Sequence, residues 1–146
     1  MKLYTIGFTQ KSAQRFFELL QNNGVQRVVD IRLRPGGQLA GFAKGSDLAW
    51  FLDRLNGATY IHLPELAPSP EILDTYRQDH DWPRYVSGFE ALMESRDIPH
   101  ALDRASFAAQ ASCLLCSEAT PEQCHRRLVA ERMAQAWPDV DVIHIV

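Results

Sequence analysis

Strands and helices alternate along this chain from end to end, and that alternation leaves few folds open to it. Residues 3–6 read as a short apolar strand ending at Gly7. Phe16, Phe17, Leu19 and Leu20 then recur at helical spacing, with Thr9 or Ser12 as the cap and Gly24 as the stop. Residues 25–31 form a second strand, whose run Val28-Val29 before Asp30 and Ile31 suits a parallel strand covered on both faces. A helix starting at Ser46 or Asp47 carries Leu48, Phe51, Leu52 and Leu55 on one face, and residues 59–63 make the third strand beyond Asn56-Gly57. Such a pattern implies right-handed crossovers and a mostly parallel sheet. The expected fold class is therefore α/β: a single three-layer Rossmann-like domain over residues 1–146, with about five strands and helices on both faces.

Residues 64–83 break the rhythm with four prolines and read as a surface excursion holding a short helix at 71–78. Trp82, Tyr85, Val86, Phe89, Leu92 and Met93 follow as a helical stripe of the kind that buries against a sheet. Residues 99–110 fit either helix or loop. Residues 111–116 are the fourth strand, 121 to about 136 a helix and 140–145 a fifth strand. A strand order of 3-2-1-4-5 is expected, in which the turns after the first and fourth strands flank the crevice where such sheets bind ligands. The Gly-rich loop that runs from Arg34 to Gly45 is a second place where ligand contact is expected.

Charge and cysteine usage narrow the function classes. A formal net charge of −3 argues against coating nucleic acid by bulk attraction, so any anion site must be local. The cysteines are three, Cys113, Cys116 and Cys124, an odd count unlike a secreted disulfide framework. No segment approaches the roughly 18 uninterrupted apolar residues that a membrane span needs. The expectation is a soluble cytoplasmic protein without membrane association.

Reactive side chains gather between the fourth strand and the helix after it. Thr120 fits the cap, Pro121 the first helical position and Gln123 a capping box, which sets the helix start at 121. The positive end of that helix favours an anion or a thiolate, which points to Cys124 as a low-pKa thiol. At about 100° per residue, His125 turns towards the core while Cys124 and Arg126 lie to either side, so the three diverge. Cys116 is either a small filler at a strand end or a nucleophile, and Cys113 reads as filler. Glu118 is a solvated carboxylate or a general acid–base, and His125 a core histidine or a base for Cys116. The catalytic candidates are Cys116, Glu118, Cys124 and His125. Asp30 and Arg32, two apart, make a buried ion pair or a clamp for a carboxylate or phosphate. With Gly7, Thr9 and Arg126 they are the ligand-binding candidates.

Three segments, TIGFT, VVDIRLRP and LLCSEATPEQCHRRLVAE, together resemble the domain-of-unknown-function 488 family, whose pattern is TIGHS, VDVR-x-x-P and LLC-x-E followed by CHR. By that resemblance Thr5, Gly7, Asp30, Arg32, Pro35, Cys116, Glu118, Cys124, His125 and Arg126 fall on motif positions. Phe8 and Thr9 stand where the family has histidine and serine, and residues 63–67, Leu-Pro-Glu-Leu-Ala, replace a Leu-Gly-Gly segment. The resemblance implies a site but no activity.

The reading that follows is a binding protein or enzyme for a small anionic, nucleotide-like compound, with a cysteine-containing site at the carboxyl edge of the sheet. Two alternatives remain open: a thiol redox switch between Cys116 and Cys124, or a non-catalytic nucleic-acid or protein-interaction module using Arg32, Arg34, Lys44, Arg126 and Arg127. No cofactor is expected. A metal held by Cys116, Cys124 and His125 is disfavoured, since there is no paired C-x-x-C spacing and adjacent helical residues diverge.

Overall fold

The computed structural model describes residues 1–37 and 41–146. Its strands are β1 (Lys2–Gly7), β2 (Arg27–Asp30), β3 (Thr59–His62), β4 (Ser112–Cys116) and β5 (Asp141–His144). Between them run α1 (Ala13–Asn22), α2 (Gly45–Phe51), α3 (Pro70–Asp79), α4 (Trp82–Ser95), α5 (Arg104–Ala109) and α6 (His125–Ala136). Every strand pair is parallel, as the α/β Rossmann-like reading requires. Ser12 caps α1 by accepting from the Arg15 N–H, and Gly24 follows its end at φ +69°. The excursion after β3 holds the full ten-residue α3, started by a Ser69 cap and Pro70. Part of the Gly-rich loop expected after Arg34, residues 38–40, lies outside the described residues.

The sheet order is β3-β2-β4-β1-β5, which corrects the expected 3-2-1-4-5 by exchanging β1 and β4. β4 is buried at all five positions and pairs on both sides, Cys116 opposite Gly7 and Leu115 opposite Asp30. β3 and β5 keep partly exposed positions, as edge strands do. Each helix keeps the same face of the sheet in either order, and β1 and β4 are similarly apolar, so periodicity alone does not separate them. The exchange moves the crevice. The ends of β2 and β4 now lie side by side, and the helices that follow these strands pack on opposite faces.

Alternation along the strands sorts the core into two layers. Tyr4, Ile6, Val28 and Leu115 pack with Phe16 and Phe17 of α1 and Leu48 of α2. Leu3, Val29 and Leu114 pack with Phe89 and Met93 of α4 and Val129 and Met133 of α6. The α4 stripe is core, as expected. Among the described residues no helix is long and apolar enough to cross a membrane.

The start of α6 needs a second correction. The helix opens at His125, four residues after Pro121, and Cys124 occupies the cap position in extended conformation (φ −135°, ψ 138°) with no side-chain capping bond. Residues 121–124 instead close a turn in which the Cys124 N–H bonds the Pro121 carbonyl (3.3 Å). The capping pattern is present locally, but the chain spends it on a turn that swings Cys124 back over the end of β4.

Candidate functional site

Three parts of the chain converge at the carboxyl ends of β2 and β4. Cys116 ends β4, Cys124 caps α6 and His125 is its first residue; all three are buried, and their ligating atoms lie within 4.8 Å of one another. The expected divergence of Cys124 and His125 is thus overturned, because Cys124 is not on the helix and the wheel does not apply to it. His125 Nε2 meets the Ile31 carbonyl at 2.7 Å, so Nε2 carries the hydrogen and donates. Nδ1 then faces Cys116 Sγ at 3.3 Å. A ring oriented by a carbonyl, with its other nitrogen on a thiol, is the arrangement of an activated nucleophile.

The loop of residues 117–119 is pinned from behind. Arg126, fully buried, donates from Nη1 to the Glu118 carbonyl (2.5 Å), from Nη2 to that of Ala119 (3.5 Å) and from Nε to Thr5 Oγ1 (3.3 Å). Thr9 gives both its N–H (3.1 Å) and its hydroxyl (2.7 Å) to the Ser117 carbonyl. At Gly7 a Cβ would stand 1.5 Å from the Glu118 oxygen, so only glycine admits the loop. Gly7, Thr9 and Arg126 therefore hold the loop, while the open cleft lies on its other side. Carbonyls face the arginine; the Ser117 and Glu118 N–H groups are left for the Cys116 sulfur.

These contacts push the two sulfurs in opposite directions. Burial pushes the Cys116 thiol up, but the Cys124 S–H, the Arg126 charge and the Glu118 and Ser117 N–H groups outweigh it and hold Cys116 below the ordinary thiol value. Cys124 goes the other way: burial and the neighbouring Cys116 sulfur raise it well above that value. The donors converge on Cys116, so of the two sulfurs it is the one whose charged form they favour. This reverses the assignment of Cys124 as the low-pKa thiol. Burial pushes Cys113 up, and its sulfur packs between β1 and α1 as filler. Among the described residues no carboxylate forms an ion pair with Arg126, whose charge bears on Cys116 and on the exposed Glu122.

Across the crevice, Asp30 and Arg32 form a buried fork. Arg32 donates from Nε (2.9 Å) and Nη2 (2.7 Å) to the two Asp30 oxygens, and Nη2 also reaches the Ala43 carbonyl (2.7 Å). The Tyr60 hydroxyl donates to the same carboxylate at 2.6 Å. Phe8, where the family pattern has histidine, lies with its ring centroid 5.3 Å from the guanidinium carbon. Among the described residues Arg32 Nη1, on a side chain only 3% exposed, has no hydrogen-bond partner. Arg27 Nη2 is left without an acceptor in the same way, but Arg32 is the one of the two that lines the cleft.

A cleft of about 350 Å³ joins these parts, lined by Arg32, Cys116, Cys124 and His125 at its base. Glu118 lines it too, through an exposed side chain. Its far wall was not legible as a site: Tyr76, Arg77 and His80 of the α3 region and Trp82 and Tyr85 of α4. Trp82 stacks on Tyr85 (5.0 Å, 13°) and Tyr85 on Phe89 (5.9 Å, 8°), whose ring meets His125 edge-on at 5.7 Å. Two residues of the helical stripe thus serve core and cleft together, and no periodicity marks that double role. Two sulfurs and an imidazole so close also make a donor set for a soft metal, although the Arg126 charge bears on the same sulfur and opposes a cation.

No curated protein and no solved structure matches this chain. The family model described as domain of unknown function DUF488 matches residues 12–133, which takes in the second-strand motif and the LLCSE and CHR segments and leaves TIGFT just outside. Covering most of the 146 residues, that match makes the chain a member of the DUF488 family.

Proposed function

We propose that the cleft binds a small anionic compound and that Cys116, as a thiolate paired with His125, acts on it as a nucleophile. The observation that carries the reading is the orphaned Nη1 of Arg32, in the same cleft as a thiol held below its ordinary pKa. In the step itself Cys116 passes its thiol proton to His125 Nδ1, its sulfur forms a bond to an electrophilic carbon, the bond from that carbon to the leaving group breaks with its electron pair, and the proton held on Nδ1 goes to the departing atom. Cys124 donates its S–H to the thiolate, and Arg126 stabilises it from beneath. A cytoplasmic setting, which keeps thiols reduced, suits this chemistry.

Iodoacetamide alkylation followed against pH, with peptides mapped by mass spectrometry, tests the assignment. Cys116 is expected to react with a half-maximum below the roughly 8.5 of a free thiol. A half-maximum at or above that value removes the nucleophile.

A second reading rests on the Cys124 sulfur standing beside Cys116: with a peroxide, both thiols give up their hydrogens and electrons to form a disulfide, and the peroxide leaves as two waters. Peroxide treatment should then link the two cysteine peptides with loss of two hydrogens. Overoxidised Cys116 without that link rules out the switch.

A further inference from the structure

We infer that the compound taken by the cleft carries its negative charge on a flat ring, as an aromatic or heteroaromatic carboxylate or phosphate does. The inference rests on the proposed role of Cys116 and adds the chemistry of the ligand around it.

The anion follows from Arg32. Its Nε and Nη2 are fixed by Asp30 and Ala43, so the guanidinium cannot turn to satisfy Nη1 elsewhere. An oxyanion is the partner that suits a buried guanidinium N–H best, through a charge-assisted bond.

The ring follows from the opposite wall. Tyr76 stands at 56° to Tyr85 and at 61° to Trp82, with centroids 5.0 and 5.8 Å away, so the three side chains form a corner instead of a continuous stack. Tyr85 is buried with its faces against Trp82 and Phe89, so the walls left to a ligand are the half-buried Tyr76 and Trp82; a planar group can lie face-on against one and meet the other edge-on, the two geometries that aromatic pairs prefer. Inorganic phosphate or a short aliphatic acid would satisfy Arg32 and leave that corner wet. A volume of about 350 Å³ fits a substituted ring and is at the small end for ligand pockets.

Four alkylating probes separate charge from ring: iodoacetate and iodoacetamide, then 4-(bromomethyl)benzoate and 4-(bromomethyl)benzamide. Each rate at Cys116 is divided by the rate of the same probe with glutathione. The carboxylates should exceed their amides by about tenfold, the worth of one charge-assisted hydrogen bond. The benzoate should gain several-fold more than iodoacetate does. Tyr76→Leu should lose the ring gain and keep the charge preference. The paired change Asp30→Asn with Arg32→Gln, which removes both charges and strands neither, should lose the charge preference. A fast Cys116 with no preference for carboxylates, or with a charge preference but no ring gain, overturns the inference and leaves the thiolate standing. A Cys116 slow towards all four probes overturns the thiolate reading itself.

Discussion

Arg126 is the residue that most changes meaning between sequence and structure. A cationic side chain next to a histidine at a helix start looks like a ligand contact, but here it points into the protein and binds three oxygen acceptors. Its influence on the cleft is electrostatic, through Cys116. Cys116 is an acidic group whose folded pKa is depressed, so its thiolate persists at lower pH than that of a free thiol. Removing a cation that favours the charged form must move the midpoint up. For Arg126→Met the pH–rate profile of Cys116 alkylation should shift to higher pH, while Arg126→Lys should restore part of the shift. An unshifted profile in a folded Arg126→Met protein would show that the backbone N–H groups and Cys124 suffice.

Among the elements, β2 and its exit carry the largest buried electrostatic investment. Asp30 is wholly inaccessible and holds Arg32 and Tyr60 together, so the carboxylate has four donors, the Arg32 backbone N–H among them. Neutralising one partner of a buried pair typically costs about 3–5 kcal/mol, since the other charge remains. Asp30→Asn should therefore lower the urea midpoint strongly. Tyr60→Phe should lower it by less, in keeping with about 1.5–3 kcal/mol for a bond to a charged group. Equal midpoints for the two variants would contradict this ranking. The pair was legible in VVDIR because two residues of alternating backbone share a face; Tyr60 was not, since a β3 partner is a matter of register. The start of α6 was misread for a related reason. Thr120, Pro121 and Gln123 obey a local rule, and the contacts of Cys124 with Cys116 and His125 override it.

For the whole molecule, the two core layers make different predictions. Phe89 and Phe16 are both fully buried, on opposite faces of the sheet. Either Phe→Ala change should cost about 3–5 kcal/mol. Only Phe89 touches His125, so Phe89→Ala should also slow Cys116 alkylation at a temperature where the protein is folded, and Phe16→Ala should not. Comparable slowing by both would mean that the site responds to stability alone. The alternation of elements gave away the α/β class, the two-layered core and the fourth strand as the site's carrier. Strand order stayed hidden because β1 and β4 are alike in apolar content, and the aromatic wall stayed hidden because α3 and α4 meet the cleft only after the chain has crossed the sheet.

That exchange of β1 and β4 has a consequence in time. β1 is the first strand to leave the ribosome, and both of its neighbours, β4 and β5, are the last. Until residue 112 has emerged, β2 has only β3 beside it, and Gly7 waits for the Glu118 carbonyl that will rest on it. Nascent chain can therefore build the β2–β3 pair early, but the sheet closes and the Cys116 sulfur acquires its donors in one late event. The surroundings that lower the Cys116 pKa are then absent from a half-made protein.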